Sequence, residues 1–324
     1  MTSISPISQL TAEQADAWHG VLAASLTSDL PGEPPPSPQQ VHAQLTAGLD
    51  SRRLAWMATG ADGAVTGVAG LRLFTSAGQD HLAELELHVH PEHRRAGTGS
   101  RLLAAARLAA EGEGRRSLIA STAGGGPGEV FCAAHGFRRV LTLNHLLLDV
   151  AQADDTAASA EHPGYTLTGW TGTVPGELAA AFATAKNAMN DMPTGDMDYG
   201  HQDWTADRVH RMAQVLADRG DTLLTVAALR DGEMAGYTEV VIRAGETRRA
   251  LQYDTAVVPA HRGRGLGLWI KAAMLRGLRA SHPGIGEIET DIAEDNTHML
   301  AVNQRLGFRA HRRTCEYQLA LTTA

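Results

Sequence analysis

The stretch VVPAHRGRGLG, Val257–Gly267, ends a run of strand-like residues and opens a helix, and upstream the pattern stands again as VHPEHRRAGTG, Val89–Gly99. Ahead of the upstream copy, Leu85, Leu87 and Val89 alternate with Glu84, Glu86, His88 and His90, the period-2 signature of a strand with two unlike faces. After the downstream copy, Ile270, Ala273, Met274 and Leu278 recur at helical spacing. The unit is therefore strand, V-x-P-x-x-R-x-x-G-x-G, helix. Its glycines let the backbone approach a ligand and turn successive N–H groups into one cavity. The following helix adds free N–H groups and the positive end of its dipole, worth about 0.3–1 kcal/mol per contact and about 2 when partly buried. Such a turn suits a pyrophosphate, and the flanking arginines offer charge-assisted bonds. A dinucleotide fingerprint wants a third glycine where Leu102 and Ile270 stand, and no Gly-Lys-Ser/Thr follows either turn, so both nucleotide motifs fail.

The repeat extends beyond the motif. Arg94 recurs as Arg262, an offset of 168 (262 − 94); Asp62-Gly63 recurs as Asp231-Gly232 and Gly67 as Gly236, both at 169. Gly136-Phe137 returns as Gly307-Phe308 at 171, and SDLPGEP (Ser28–Pro34) has a counterpart in NDMPTGD (Asn190–Asp196) near 162. Landmarks in one order with slowly drifting offsets mark a tandem duplication. The boundaries read as a first domain at 1–150, a small polar linker at 151–163 and a second domain at 164–324.

Each half carries the same elements. In the second they are helices over Glu177–Asn190 and Thr205–Arg219, then a hairpin of Leu223–Leu229 and Met234–Ile242 turning at Asp231-Gly232. A strand over Ala250–Val258, the glycine turn and its helix, a strand over Gly286–Ile292, a helix over Thr297–Leu306 and a last strand follow. Strands alternating with helices give an α/β (α+β) domain with a mixed, mostly antiparallel sheet flanked by helices.

Composition narrows the function. A chain of 324 residues with 43% hydrophobic and 20% charged residues is globular, and no apolar run approaches the roughly 18 residues that span a bilayer. The net charge of −8 argues against nucleic acid, which needs a concentrated basic face. Cys132 and Cys315 form no disulfide framework and the N-terminus has no signal-peptide pattern, which together point to the cytoplasm. Lysine occurs only at Lys186 and Lys271 beside abundant arginine, a usage of high-GC genomes.

These residues resemble the GNAT acetyltransferase superfamily. Its R/Q-x-x-G-x-G/A signature matches Arg94, Gly97 and Gly99, and again Arg262, Gly265 and Gly267; a second signature matches Asn296, Met299, Asn303, Gly307 and Phe308. The whole is similar to tandem two-domain actinobacterial members of mycothiol-synthase-like architecture. The resemblance implies acetyl-CoA as co-substrate and no metal. It places the cofactor on Val257, Val258, Arg262, Gly263, Arg264, Gly265, Leu266 and Gly267, with Asn296 and Asn303, and on Val89, Arg94, Arg95, Gly97, Thr98 and Gly99 of the first copy.

Comparing the copies points to the second as catalytic. It alone has the asparagine-bearing ending, and at offset 169 Glu239 aligns with Gly70, so a carboxylate is expected only in the second copy. The expected reaction is attack of a small molecule's primary amine on the thioester. An amine of pKa about 10 arrives protonated and needs a base, for which Glu239 and Asp254 are the candidates. The superfamily's acid tyrosine is replaced by Asn303, with Cys132 in the first copy, leaving Tyr199, Tyr237 or water as proton donor. Asp191, Asp196, Asp198 and Tyr199 lie in the loop where the resemblance places a cationic acceptor. His88, His90 and His93 give no metal reading, because Ala256, Val258 and His261 occupy the matching positions. The alternative is a non-catalytic acyl-CoA-binding regulator, with a protein-lysine acetyltransferase a weaker third reading; the assembly is a monomer or a homodimer.

Overall fold

The computed structural model describes residues 2–8, 10–46 and 50–322. They divide into two units, Met1–Thr142 with Gly195–His201 and Thr314–Ala324, and Leu143–Thr194 with Gln202–Arg313. The first unit contains β1 (Ser3–Ile7), α1 (Ala12–Asp29), α2 (Pro38–Thr46), β2 (Ser51–Thr59), β3 (Val65–Phe74), β4 (Leu82–Val89), α3 (Thr98–Gly112), β5 (Ser117–Ala123) and α4 (Pro127–Ala134). After β6 (Arg138–Asp149) the second unit contributes β7 (Thr166–Thr171), α5 (Ala179–Lys186), α6 (Ala206–Asp218), β8 (Thr222–Arg230), β9 (Glu233–Ile242), β10 (Arg249–Val257), α7 (Leu266–Ser281), β11 (Glu287–Ala293) and α8 (Thr297–Leu306), and β12 (Arg309–Ala320) ends the chain.

Local sequence accounts for the helix starts. Thr11 and Gln14 form a reciprocal capping box at α1, satisfying two donors that the first turn leaves open. Thr205 caps α6 by accepting from the Arg208 N–H, and Val209, Ala213 and Leu216 form that helix's buried stripe. In the first unit Leu102, Leu103, Ala106 and Ala110 of α3 pack on Ala69, Leu71 and Leu73 of β3, while Trp18, Val21 and Leu22 of α1 pack on Val68. The second unit repeats this, with Phe182 and Val209 in one helix-to-sheet cluster and Leu275, Leu278 and Ile288 in another.

Within each unit the strands hydrogen-bond in the orders β1-β2-β3-β4-β5-β12 and β6-β11-β10-β9-β8-β7. The last strands of the two halves are thus exchanged. β6 pairs antiparallel with β11, Leu148 opposite Ile288, and β12 pairs antiparallel with β5, Tyr317 opposite Ala120. Contiguous domains at 1–150 and 164–324 are the simpler expectation, and the structure differs because each half completes its sheet with the other half's final strand. Nor is 151–163 a loose linker. Arg279 donates to the Val150 carbonyl (2.8 Å) and the Asp155 carboxylate (2.9 Å), and Ala153, Ala157 and Ala158 pack on the second core.

Among the described residues one parallel pair stands in each unit, and both pairs are short. β4 meets β5 only from Leu82–Ser117 to Leu85–Ala120, and β10 meets β11 only from Arg249–Glu287 to Leu251–Glu289. Beyond these points the strands part. In the second unit the parting point is fixed by a charge cluster. Glu289 accepts from His145 Nδ1 (3.0 Å) and Arg249 Nη1 (3.0 Å) and also pairs with Arg312. Burial works to raise the Glu289 carboxyl, but His145, Arg312 and Arg249 outweigh it and hold it at about 2.

Replacing the fully buried Leu71 by alanine should cost about 2–5 kcal/mol in urea unfolding, whereas the same change at Leu108, 73% exposed, should stay within about 0.5 kcal/mol. Equal effects would contradict the assigned core. An unfolded glutamate near 4.5 and a folded one near 2 make Glu289 a stabilising group above about pH 4.5, its contribution of about 3 kcal/mol fading as pH falls toward 2. In acid-unfolding curves Glu289→Gln should lack that portion of the decline; an unchanged curve would contradict the cluster's role. Among the described residues no helix is long and apolar enough to cross a membrane.

Candidate functional site

Past the parting point each strand runs into its glycine turn. The two turns have matching backbones. Arg95 (φ 65°) and Gly97 (φ 80°) in the first correspond to Gly263 (φ 75°) and Gly265 (φ 77°) in the second. A non-glycine residue held left-handed costs roughly 1–2 kcal/mol, so Arg95 keeps this shape against its own preference. Gly97 and Gly265 sit at the N-caps of α3 and α7 with no side chain satisfying the helix N–H groups. A side chain built at Gly97 or Gly263 would meet nothing within 4 Å, and at Gly265 its nearest neighbour would be His162 Cε1 at 3.5 Å.

Thr98 and Leu266 are buried, so they offer only backbone to a ligand, while Arg95 and Arg264 are exposed beside it. Val89 packs against the first core; Val257 and Val258 pack in the second, and the Val258 N–H is taken by the Ala235 carbonyl at 2.9 Å.

Both signature arginines are engaged within the protein. Arg262 Nε donates to the Val257 carbonyl at 3.0 Å and its Nη2 to Asp191 at 2.7 Å. Arg94 does the same with the Val89 carbonyl (3.1 Å) and grips Asp29 through two bonds of 2.7 and 2.8 Å. Each arginine ties the end of its strand to the helical segment beside it. These bonds account for Asp191 as an arginine partner.

The second unit's carboxylates are held by a residue that the sequence did not single out. Lys186, the last residue of α5, is fully buried, and its Nζ donates to Glu239 Oε2 and Asp254 Oδ2, each at 2.7 Å. The ammonium also lies 4.5 Å from the Trp204 ring centre, 5.0 Å from Tyr237 and 5.4 Å from Phe182, so aromatic faces complete its surroundings. Phe182 and Lys186 share one helix face by their spacing of four. Asp254 reaches the cluster because β10 bulges between Gln252 and Thr255 against β9. The Gln252 amide pins that bulge by donating to the Glu239 carbonyl (2.6 Å) and to Thr238 Oγ1 (2.9 Å).

Exposure separates the two candidates for the base. The Glu239 side chain is 1% exposed and that of Asp254 33%. Burial raises the Glu239 carboxyl, with Lys186 pulling it down and Asp254 pushing it up again. Burial also works against the charge on Lys186, but Asp254 and Glu239 outweigh it and keep the ammonium above its ordinary value. Tyr237 donates to Asp254 Oδ2 at 3.4 Å; burial, Asp254 and Glu239 push its hydroxyl well above the usual range, so it holds its proton.

The remaining expected residues scatter. Asp196 pairs with Arg138, Asp198 with His81, and the Tyr199 ring packs edge-on against Phe74, all of them first-unit contacts. Of the four expected acceptor residues, only Asp191 therefore belongs to the second unit. Asn296 caps α8 by accepting from the Met299 N–H at 3.1 Å. Asn303 is fully buried on α8, which packs beside α7, and neither polar atom of its side chain has a hydrogen-bond partner. An orphaned buried amide and an open turn of N–H groups ahead of a helix both fit acetyl-CoA. Among the described residues no group of three or more His, Cys, Asp or Glu side chains could hold a metal ion.

Removing Lys186 leaves two buried carboxylates facing each other. Lys186→Met should therefore lower stability by about 3–5 kcal/mol, and adding Glu239→Gln should recover part of it, as read from urea midpoints. A single variant as stable as the parent would contradict the clamp.

Two regions of the chain match acetyltransferase profiles, the Acetyltransferase (GNAT) family over residues 187–308 and the Acetyltransferase (GNAT) domain over residues 51–139. A protein named mycothiol acetyltransferase from Clavibacter sepedonicus is 28% identical over 309 residues, 94% of this chain and 93% of its own length. One of the same name from Salinispora tropica is 31% identical, covering 80% of this chain and 79% of its own length. Among solved structures, a tandem GNAT protein from the clavulanic acid biosynthesis pathway, determined without acetyl-CoA, superposes with a TM-score of 0.83 at 26% identity over 100% of both chains. Repeated turn, mixed helix-flanked sheets and these relatives converge, and the chain belongs to the GNAT acetyltransferases, with two GNAT domains in tandem.

Proposed function

We propose that this acetyltransferase moves acetyl from acetyl-CoA to a primary amine of a small molecule in the cytoplasm, and that the second unit carries out the transfer. The observation that supports this most is the cluster of Lys186, Glu239 and Asp254 where β10 leaves β11, eight residues before Arg262. Its formal charge is −1, from one ammonium and two carboxylates. At an effective dielectric of about 20, a single charge 4 Å away is worth about 4 kcal/mol, enough to draw an ammonium to the exposed member. Relatives named for acetylating mycothiol support a small-molecule acceptor.

Acetyl-CoA supplies the activated acetyl group as a thioester. The backbone of Gly263–Gly267 and the first N–H groups of α7 would hold its diphosphate, with Arg264 exposed alongside. The edge of β10 from Asp254 to Val257, released from β11, would receive the acyl end, and Asn303 brings the buried amide that lacks a partner. In the first unit Arg95–Gly99 has the same backbone shape and is proposed to bind a second diphosphate.

Asp254 takes the proton of the arriving ammonium, being the one carboxylate of the cluster that solvent reaches. Glu239 is too deeply buried to touch an acceptor. It holds Lys186, and Lys186 in turn fixes the position of Asp254. This divides the two expected catalytic residues into a base and a positioning group. No side chain stands at the superfamily's acid position in a form that can donate, so water protonates the departing thiolate.

With a polyamine acceptor and CoA release followed by a thiol reagent, Asp254→Asn should lower kcat/KM by about 10²–10⁴-fold while acetyl-CoA affinity holds. Full activity in that variant, or no turnover of any amine by the parent, would overturn the assignment.

A further inference from the structure

The first unit carries its own acid–base group at the matching place. Glu86 stands 168 residues before Asp254, and it lies opposite Gly70, the residue aligned with Glu239. So the first copy does have a carboxylate at its notch, on the neighbouring strand, which corrects the expectation of a carboxylate in the second copy alone. β4 and β5 separate after Leu85 and Ala120, which puts Glu86 and His88 on the freed stretch leading into the turn at Arg94–Gly99.

The surroundings differ from those of Asp254 in one decisive respect: no lysine neutralises the carboxylate. The Glu86 side chain is 37% exposed, and its Oε1 lies 3.5 Å from His88 Nε2. His88 Nδ1 lies 3.2 Å from Ser25 Oγ, which accepts from Arg94 Nη2 at 3.0 Å. Arg94 is locked by Asp29 and the Val89 carbonyl. The chain Glu86–His88–Ser25–Arg94 thus ends on an immobile group, and the imidazole is held at both nitrogens. Burial opposes the charge on Glu86, but the hydrogen bond and charge of His88, with the charge of Arg53, outweigh it and keep the carboxyl below its ordinary range. Where the second unit inserts Glu239, the first has Gly70, and the Trp18 ring comes within 3.6 Å of where a side chain would begin. The formal charges of Arg53, Glu86, Arg94 and Asp29 cancel, against −1 in the second cluster.

We propose that the first unit is a second acetyl-transfer centre, in which Glu86 and His88 act as the base toward a primary amine carrying no further positive charge. This rests on the acetyl-CoA reading above. The amine nitrogen bonds to the acetyl carbon as the carbon–sulfur bond breaks, and the sulfur leaves with the electron pair. Of the two protons the ammonium loses, one passes to the Glu86–His88 pair and on to solvent, and the other ends on the CoA sulfur.

The test uses the full chain, calorimetry with acetyl-CoA, and CoA release with a monoamine and a polyamine. Two acetyl-CoA molecules should bind per chain, and Gly97→Val, at a left-handed position, should remove one. In an Asp254→Asn background monoamine turnover should persist, and adding Glu86→Gln should cut it by about 10²-fold or more without loss of acetyl-CoA binding. A single binding equivalent that survives Gly97→Val overturns the proposal, as does Asp254→Asn abolishing turnover of both amines while Glu86→Gln alone leaves both rates intact. The latter result sinks the second centre and spares the first reading, whereas a parent inert toward every amine sinks both.

Discussion

Parallel pairing between β10 and β11 stops after Leu251 and Glu289, and the site exists because it stops there. A β-strand edge with unpaired N–H and C=O groups is ordinarily a liability that a fold covers. Here the edge is opened on purpose between two fixed points. Behind it, Glu289 is bound by His145, Arg249 and Arg312. Ahead of it, Arg262 ties the strand end at Val257 to Asp191. The first unit repeats the second fixed point with Arg94, Val89 and Asp29. In both units the signature arginine serves the shape of the turn.

Within this opening, Lys186 decides what the carboxylates can do. Two like charges on adjacent strands would repel in a buried setting, and one would be forced neutral. An ammonium between them removes the conflict and leaves a single net negative charge, presented at the one carboxylate that reaches solvent. The rings of Trp204, Tyr237 and Phe182 shield the Lys186 ammonium from water and so strengthen its pairing. The first unit solves the same problem with one carboxylate and an imidazole.

Much of this was legible in the sequence. The offsets gave the duplication, the α8 span Thr297–Leu306 coincides with the observed helix, and β8 to β11 fall within a residue of their expected ends. What escaped depends on distance in the chain. The exchange of β6 and β12 was hidden because an alternating strand does not say which edge it joins. Lys186 reads from sequence only as part of a genome-wide preference for arginine, inside a helix expected over Glu177–Asn190. Its role appears only once α5 is laid on β9 and β10. Glu86 is missed by a comparison made through Glu239 alone, which meets Gly70, whereas the motif offset of 168 sets Asp254 on Glu86. Asp196, Asp198 and Tyr199 looked like an acceptor loop by composition, yet their partners are Arg138, His81 and Phe74.

A structure of the chain bound to a non-transferable thioether analogue of acetyl-CoA tests the central claim most directly. It should show the diphosphate on the N–H groups of Gly263–Gly267, the acyl end in the gap where β10 leaves β11, and Asp254 facing that gap with Lys186 still behind it. An analogue seated away from both glycine turns, or β10 and β11 zipped together past Leu251 with no room for an acyl group, would contradict the account.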